Sequence, residues 1–307
     1  MKKLVLIGAS GFIGKKLFDH LDQTKLFDLV GTYNGSAESK DKSLFIKLDV
    51  LDQNQVHAFL SSSKPDIIIN CTGNIIGNAT VSVDLNLLAT MNILNAVVEL
   101  VPYAKLVFFG SAAEYGPGTP ELELITENTQ CNPVSVYGIV KFATTRIILN
   151  YIQRHKLNAT VIRPFNVIGG TMPPSLLIGA LLQRIRDCSN IPEKQFLKVG
   201  NINVYRDFID IRDLCRFVKL IVSIDKAPPV LNACSGNSVK VEYVVEQLIR
   251  LSEKNIQLSI DPGLLRKNDQ PYAIGNNTAA LNFLGFNVQH TIDESLLFIW
   301  NEFNAIK

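Results

Sequence analysis

The sequence is poor in the residues that mark most specialised classes of protein. It has five cysteines, an odd number, at positions 71, 131, 188, 215 and 234, and only four histidines. No two cysteines have the C-x-x-C spacing of a zinc or redox site, so neither a metal nor a disulfide framework organises the chain. All five thiols read as small core residues, and a reducing, cytoplasmic setting fits them. Charge is scarce too, at 19% of residues, and the formal net charge is only +2. The lysines and arginines are scattered, which leaves no electrostatic footprint for a nucleic acid or a membrane surface. Long apolar runs are missing. The four residues Leu4, Val5, Leu6 and Ile7 follow two lysines but end at a glycine, short of the roughly 7–15 residues of a secretory signal. The apolar stretches at 67–69 and 176–182 are far from the ~20 residues that span a bilayer. There is no internal repeat and no low-complexity segment.

What is present is a large apolar complement, 47% of 307 residues, enough for a well-buried core in one compact unit or a large domain with a smaller lobe. In the first half, β-branched runs at 4–7, 28–33, 44–48, 66–70, 106–110 and 159–163 alternate with amphipathic stretches at 12–21, 54–62, 83–100 and 136–155. Strands that are apolar throughout and alternate with helices predict a parallel sheet covered on both faces. Right-handed crossovers then give an α/β, doubly wound fold. After Arg163 the rhythm breaks at a series of prolines, although helices are still predicted at 175–186, 212–224, 241–252 and 292–303. The expected division is a dinucleotide-binding domain of residues 1–166 plus 210–233 and a substrate-binding lobe of 167–209 plus 234–307. The cleft between them is the natural ligand site.

The string GASGFIG at residues 8–14 directly follows the first strand and opens the first helix. Its glycines Gly8, Gly11 and Gly14 permit a tight turn and close approach of backbone to a pyrophosphate, which the helix N-terminus attracts. The end of the second predicted strand, around Asn34, carries no acid to hold the ribose hydroxyls of NAD. Lys15, Lys16 and Lys40 could offer positive charge to a 2′-phosphate. The missing acid favours NADP(H) and leaves NAD(H) open. Asp49 and Val50, just past the third strand, are expected near the adenine.

Tyr137 and Lys141 form Y-x-x-x-K on a predicted helix, and an i, i+4 pair shares one face. An ammonium beside a phenol is expected to lower its pKa toward the range of a working acid or base. Ser111 follows the fifth strand, whose C-terminal end faces the ligand crevice in such sheets. Its hydroxyl can hydrogen-bond a substrate oxygen while the tyrosine moves the proton.

With these pieces in order, the sequence resembles the extended short-chain dehydrogenases/reductases over nearly its whole length, in the branch of nucleotide-sugar epimerases, dehydratases and reductases. The carriers are the GASGFIG loop, the segment Ser111, Ala112, Ala113, Glu114, Tyr115, Gly116, and the pair Tyr137 and Lys141. Further carriers are NLLATMNILNA at 86–96, the R-x-x-N of Arg163 and Asn166, the segment Arg206, Asp207, Phe208, Ile209, Asp210, and the late pair Arg266 and Asp269. The resemblance implies catalytic roles for Ser111, Tyr137 and Lys141. It implies cofactor contacts from Gly8, Ser10, Gly11, Phe12, Ile13, Gly14, Asn34, Asp49, Val50, Cys71, Thr72, Gly73, Asn86, Tyr137, Lys141 and Pro164. Substrate contacts are implied for Ser111, Ala112, Tyr137, Asn166, Leu177, Arg206 and Arg266, with the guanidiniums forking onto diphosphate oxygens. The nucleobase is expected near residues 174–180 and 196–201. No metal is implied. The stretch 73–76 departs from the small-residue pattern of the family.

The dehydratases of this branch carry Asp-Glu where this sequence has Ala112 and Ala113, and a methyl group transfers no proton. Dehydration is therefore disfavoured. The second half most resembles reductases of nucleotide-linked 4-keto-6-deoxyhexoses, and an NADP(H)-dependent 4-ketoreductase acting on a nucleotide-diphosphate sugar is the expectation. A C4-epimerase with tightly held NAD and a non-catalytic dinucleotide sensor remain the alternatives. The family's matching helices pair across a dimer axis, so a homodimer through residues 83–100 and 136–155 is expected.

Overall fold

The computed structural model describes residues 1–35, 44–73, 79–117, 123–188, 195–265 and 271–305. Its centre is a seven-stranded, wholly parallel sheet in the order β3-β2-β1-β4-β5-β6-β11. The strands are β1 Lys2–Ile7, β2 Phe27–Tyr33, β3 Phe45–Lys47, β4 Ile67–Asn70, β5 Lys105–Phe109, β6 Asn158–Pro164 and β11 Val230–Ala233. β4 is buried at all four positions, because helices cover both faces of the sheet.

One face packs on α1 (Phe12–Thr24) and α7 (Ile211–Ser223). In α1 the buried residues Gly14, Leu17, Phe18 and Leu21 recur at helical spacing, so a single apolar stripe meets the sheet. The opposite face packs on α2 (Gln53–Ser63), α4 (Ala89–Leu100) and α5 (Val136–His155). The Asp52 side chain accepts the amides of Asn54 and Gln55 and so starts α2; Ser135 accepts the amide of Gly138 and starts α5.

The helix expected over 83–100 begins earlier, as α3 (Ala79–Val83), and reaches α4 through a π-helical turn at Asp84–Leu88. By length and composition Ala79–Leu100 could cross a membrane, but half of its most apolar stretch is buried within the protein. Ile93, Leu94 and Val97 lie against the sheet at zero exposure, as in any core helix.

Beyond β6 the chain forms β7 (Asn166–Ile168), α6 (Leu177–Asp187), β8 (Gln195–Val199), β9 (Tyr205–Arg206) and β10 (Phe208–Asp210). After β11 come β12 (Val239–Lys240), α8 (Val241–Ser252), β13 (Ile256–Ile260), β14 (Tyr272–Ala273), α9 (Thr278–Leu284) and α10 (Ile292–Ala305). These strands make three small sheets, β7-β10, β12-β9-β14 and β8-β13. A separate core joins α6, α8, α10 and β8 through Ile178, Leu182, Leu197, Val244 and Ile299.

Two expectations need correction. Only Cys215 and Cys234 are buried core thiols; Cys71, Cys131 and Cys188 are partly exposed. Lys16 does not face a ligand site, because its ammonium bonds Glu302 on α10 at 2.8 Å. Lys40 lies outside the described residues.

Candidate active site

The sheet order reverses between β1 and β4, and the crevice at such a switch point receives ligands in doubly wound folds. Here a cavity of about 440 Å³ opens at the C-terminal ends of β1, β4, β5 and β6. Phe12 and Ile13 line it from α1, Cys71, Thr72 and Gly73 from the end of β4, and Asn86 from the π-turn. Residues 109–113 line it from the end of β5, Tyr137 and Lys141 from α5, and Pro164 and Asn166 from β6 and β7. Leu176, Leu177, Ile178, Arg206, Phe208 and Ala273 close the other side.

The glycine turn fits a dinucleotide. Gly8 has φ +79°, and a Cβ there would lie 3.0 Å from the Thr72 amide nitrogen. Gly14 faces inward, where a Cβ would stand 2.1 Å from the Gly8 carbonyl oxygen. Gly11 differs, since a Cβ on it would meet only the Gly8 oxygen, at 3.5 Å. Gly11 is also the N-cap of α1; no side chain caps that end and no acid stands in the first turn. The helix thus presents free amides and its positive dipole end beside an open approach, the requirements of a pyrophosphate. Ser10 is exposed at the same turn.

Asn34 is exposed just past β2, and Asp49, just past β3, accepts the Leu51 amide. Val50 is buried, with its carbonyl accepting from Asn92. Neither these three nor Gly8, Ser10, Gly11 and Gly14 are among the residues that line the cavity. Of the two stretches expected around a nucleobase, 174–180 contributes Leu176 to Ile178, whereas 196–201 contributes no lining residue. Arg266 and Asp269 lie outside the described residues, as do 74–76.

At the other end of the cavity Tyr137, Lys141 and Ser111 converge. Lys141 is buried and donates to the Phe109 carbonyl at 2.7 Å, with its nitrogen 5.9 Å from the centre of the Tyr137 ring. Burial pulls the Lys141 pKa down to about 8, against the opposing charge of Glu114. Tyr137 departs from expectation. Burial pushes its pKa up to about 12, with the Ser111 hydrogen bond opposing and the Glu114 charge adding to the rise. Lys141 does not lower it, because the ammonium is turned to the Phe109 carbonyl. Ser111 accepts the Ala113 amide at 3.1 Å on its side-chain oxygen and caps a short 3₁₀ turn, Ala112–Glu114.

Three features of the site went unread in the sequence. The first is the π-turn, which brings Asn86, an expected cofactor contact that is 1% exposed, to the cavity wall with its amide donating to Ser82 O at 2.8 Å. The Asp207 carboxylate, fully buried, accepts from Ser235 N and Oγ, Gly236 N and Gly275 N, at 2.8–3.2 Å. Its main-chain oxygen holds the Asn166 side chain at 2.8 Å, so the Asn166 amide is committed to backbone. The third is the buried pair of Glu114 and Arg163, 2.9 Å apart.

Fold and cavity together define a dinucleotide-dependent enzyme. Residues 4–234 match the model of the NAD dependent epimerase/dehydratase family. This chain belongs to that family, within the extended short-chain dehydrogenases/reductases, and is an NAD(P)-dependent enzyme. It is 26% identical over 299 residues to GDP-6-deoxy-D-talose 4-dehydrogenase of Aggregatibacter actinomycetemcomitans, covering 96% of this chain and 95% of the relative. It is 25% identical over 311 residues to GDP-6-deoxy-D-mannose reductase of Pseudomonas aeruginosa, covering 99% and 98%. Among solved structures, UDP-glucose 4-epimerase of Thermotoga maritima with UDP-glucose superposes at a TM-score of 0.86, with 20% identity and 99% of each chain covered. RMD of Pseudomonas aeruginosa complexed with NADPH superposes at 0.82, with 24% identity and 99% of each chain covered.

Proposed function

We propose that this enzyme reduces a nucleotide-linked 4-keto-6-deoxy sugar to the 6-deoxy sugar with NADPH. The observation that carries the reading is the end of the cavity where Ser111 and a protonated Tyr137 meet beside Ala112 and Ala113. NADPH, when bound, supplies the hydride. Ser111 holds the keto oxygen, and Tyr137 gives its proton to that oxygen as negative charge develops there. Lys141, held by the Phe109 carbonyl, presents a positive charge to the same region. Ala112 and Ala113 offer neither acid nor base for eliminating water. Arg206 and Asn166 line the side of the cavity where the diphosphate would lie. The reading is supported by the two relatives named for oxidoreduction of nucleotide-linked 6-deoxy sugars, one of them at position 4. NADPH is supported by the RMD complex and by the relative from Kitasatospora kifunensis named dTDP-6-deoxy-L-talose 4-dehydrogenase (NAD(P)(+)), while NAD(H) remains open.

The same proposal takes residues 1–166 plus 210–233 as the cofactor domain and the rest as the substrate lobe, supported by the pairing of β11 with β6. It takes the enzyme as a cytoplasmic homodimer. The free cysteines support a reducing compartment. Leu88, Val136 and Ile139, 43–53% exposed, support pairing through the helices that carry them.

The test is loss of nicotinamide absorbance on adding each of a panel of nucleotide-linked 4-keto-6-deoxy sugars, with NADH in parallel. Stoichiometric oxidation of NADPH by one sugar is expected. Tyr137→Phe is expected to lower turnover by roughly 10²–10⁴-fold while leaving NADPH affinity intact. No oxidation with any sugar, together with NAD released on denaturation, would replace the reading with an epimerase.

A further inference from the structure

We infer that Glu114 is a positioning residue of this active site, fixing the Ser111 main chain and, by its bond to Thr145 one helical turn from Lys141, placing a negative charge near that lysine. The inference rests on the reading of Ser111, Tyr137 and Lys141 given above and adds a fourth group to them.

The geometry is that of a built site. Glu114 has no exposure to solvent, yet its carboxylate has three hydrogen-bond donors and an ion pair. One oxygen accepts the Ser111 amide at 2.9 Å and the Thr145 hydroxyl at 3.0 Å. The other accepts Nε of Arg163 at 2.9 Å and lies 2.9 Å from its Nη2. Room for it depends on Gly110, where a Cβ would stand 2.4 Å from the first oxygen. Arg163 is held in turn over the Tyr115 ring, 4.7 Å from its centre.

The carboxylate touches both elements that carry the reacting groups. Through the Ser111 amide it fixes the turn after β5 and so the direction of the Ser111 hydroxyl. Through Thr145 it holds α5, on the face that also carries Tyr137 and Lys141, since residues four apart share one side of a helix. A capping box on a three-residue turn needs no buried ion pair behind it, because Gln would close the same box. A fully buried carboxylate is costly and is retained here beside a buried lysine. The charged or titratable groups around Lys141 are Cys71 from the end of β4, Tyr137 from its own helix, and Glu114 from the turn after β5. Arg163, from β6, lies behind Glu114. Among these, the Glu114 carboxylate favours the ammonium form.

Three variants separate charge from geometry. Glu114→Gln keeps the shape and removes the charge. Glu114→Asp keeps the charge but is too short to span Ser111 and Arg163. Glu114→Gln combined with Arg163→Met removes both charges, which guards against misfolding around an unpaired guanidinium. Each is followed by thermal melting, by the pH profile of kcat and kcat/KM, and by 13Cε NMR titration of Lys141 in the full chain without cofactor.

In Glu114→Gln the Lys141 titration is expected to fall about one unit below its wild-type midpoint, and in the double variant by less, because an opposing positive charge leaves with the carboxylate. The alkaline limb of kcat/KM should move with it. In Glu114→Asp the midpoint should stay, while kcat drops on the order of tenfold to a hundredfold with little change in KM. A folded Glu114→Gln or double variant with wild-type kcat and an unmoved Lys141 midpoint would overturn the proposal. So would a Glu114→Asp enzyme as fast as wild type. The NMR titration needs no turnover, so it decides the electrostatic half even if the wild type reduces no keto sugar, a result that would overturn only the ketoreductase assignment.

Discussion

The three glycines of the first turn should fail in three different ways when each is changed to alanine. At Gly14 the new Cβ would stand 2.1 Å from the Gly8 carbonyl oxygen and 3.0 Å from Ala9 Cα. Both are backbone atoms, so α1 must move about 1 Å from the turn to restore an ordinary contact. Helix propensity alone favours Ala over Gly by about 0.8–1.0 kcal/mol, but forced overpacking of a buried contact costs about 1–3 kcal/mol. Because the clash is between backbone atoms, we take the upper end of that cost and expect a net loss of about 2 kcal/mol, which in a chain of this size is a melting temperature lower by roughly 3 °C. At Gly8 the left-handed φ of +79° adds a backbone cost of about 1–2 kcal/mol, and a similar loss follows. At Gly11, with φ −73° and a nearest contact at 3.5 Å, alanine is accommodated. The weaker N-cap is offset by the stiffer unfolded chain, and the apoprotein should melt within about 0.5 kcal/mol of wild type. Its methyl instead occupies the approach to the α1 amides, so NADPH affinity should fall tenfold or more, about 1.4 kcal/mol. Thermal melting without ligand, paired with fluorescence titration of NADPH, reads both quantities. A Gly11→Ala protein that melts early but binds NADPH normally, or a Gly14→Ala protein with unchanged melting, would refute the assignment of packing to one glycine and ligand approach to the other.

Two further outcomes can be checked with simple assays. Asp207→Asn keeps the shape but sets an amide against four converging donors, and should cost about 2–4 kcal/mol in urea unfolding. Burial raises the Asp207 pKa to about 6 against its hydrogen bonds. Its carboxyl therefore contributes most to stability below pH 4, and that part is lost as the pH rises through about 6; the gap to the variant should change across this window. Ile139→Glu places a charge on the exposed apolar start of α5; if the proposed homodimer forms through this helix, size-exclusion chromatography should show a dimer for the wild type and a monomer for the variant.

The first six strands were legible because most are buried runs of apolar residues, and their predicted limits fall within one or two residues of those observed; β7, β8, β10, β11 and β13 were not predicted. The α5 limits, 136 and 155, were legible from its wide apolar face. What escaped reading depended on partners far away in the chain. Lys16 looks like a free surface lysine until Glu302, 286 residues later, is placed beside it. Glu114 looks like an ordinary turn residue until Arg163 and Thr145 arrive from β6 and α5. The π-turn at Asp84–Leu88 changes hydrogen-bond register without changing composition, so a regular helix was the natural expectation. The short β9, β12 and β14 have two residues each, too few to show a period. Cavity-lining residues such as Phe12, Thr72 and Pro164 were accessible only through the family pattern.

Electrostatics reversed one expectation and thereby sets the order in which the two groups titrate. A lysine four residues from a tyrosine was expected to acidify it, yet burial holds Tyr137 at about 12 and Lys141 at about 8. At pH 7 a phenol held that tightly is protonated about 10⁵ to one. It follows that the first of the two groups to titrate as pH rises is Lys141, and the alkaline limb of kcat/KM should fall near pH 8 rather than at the tyrosine value. The same lysine weakens the fold. Its folded pKa lies below the unfolded 10.5, so the unfolded chain binds more protons between about pH 8 and 10.5, and stability rises with pH across that window. Lys141→Met should therefore be inactive yet melt higher than wild type at pH 7, with the advantage shrinking toward pH 10 because the folded lysine is then neutral and the unfolded ammonium gives up its proton at less cost. A limb well above pH 10, or a methionine variant that melts lower at neutral pH, would show that the buried ammonium is stabilised by contacts stronger than the Phe109 carbonyl and the Glu114 charge provide.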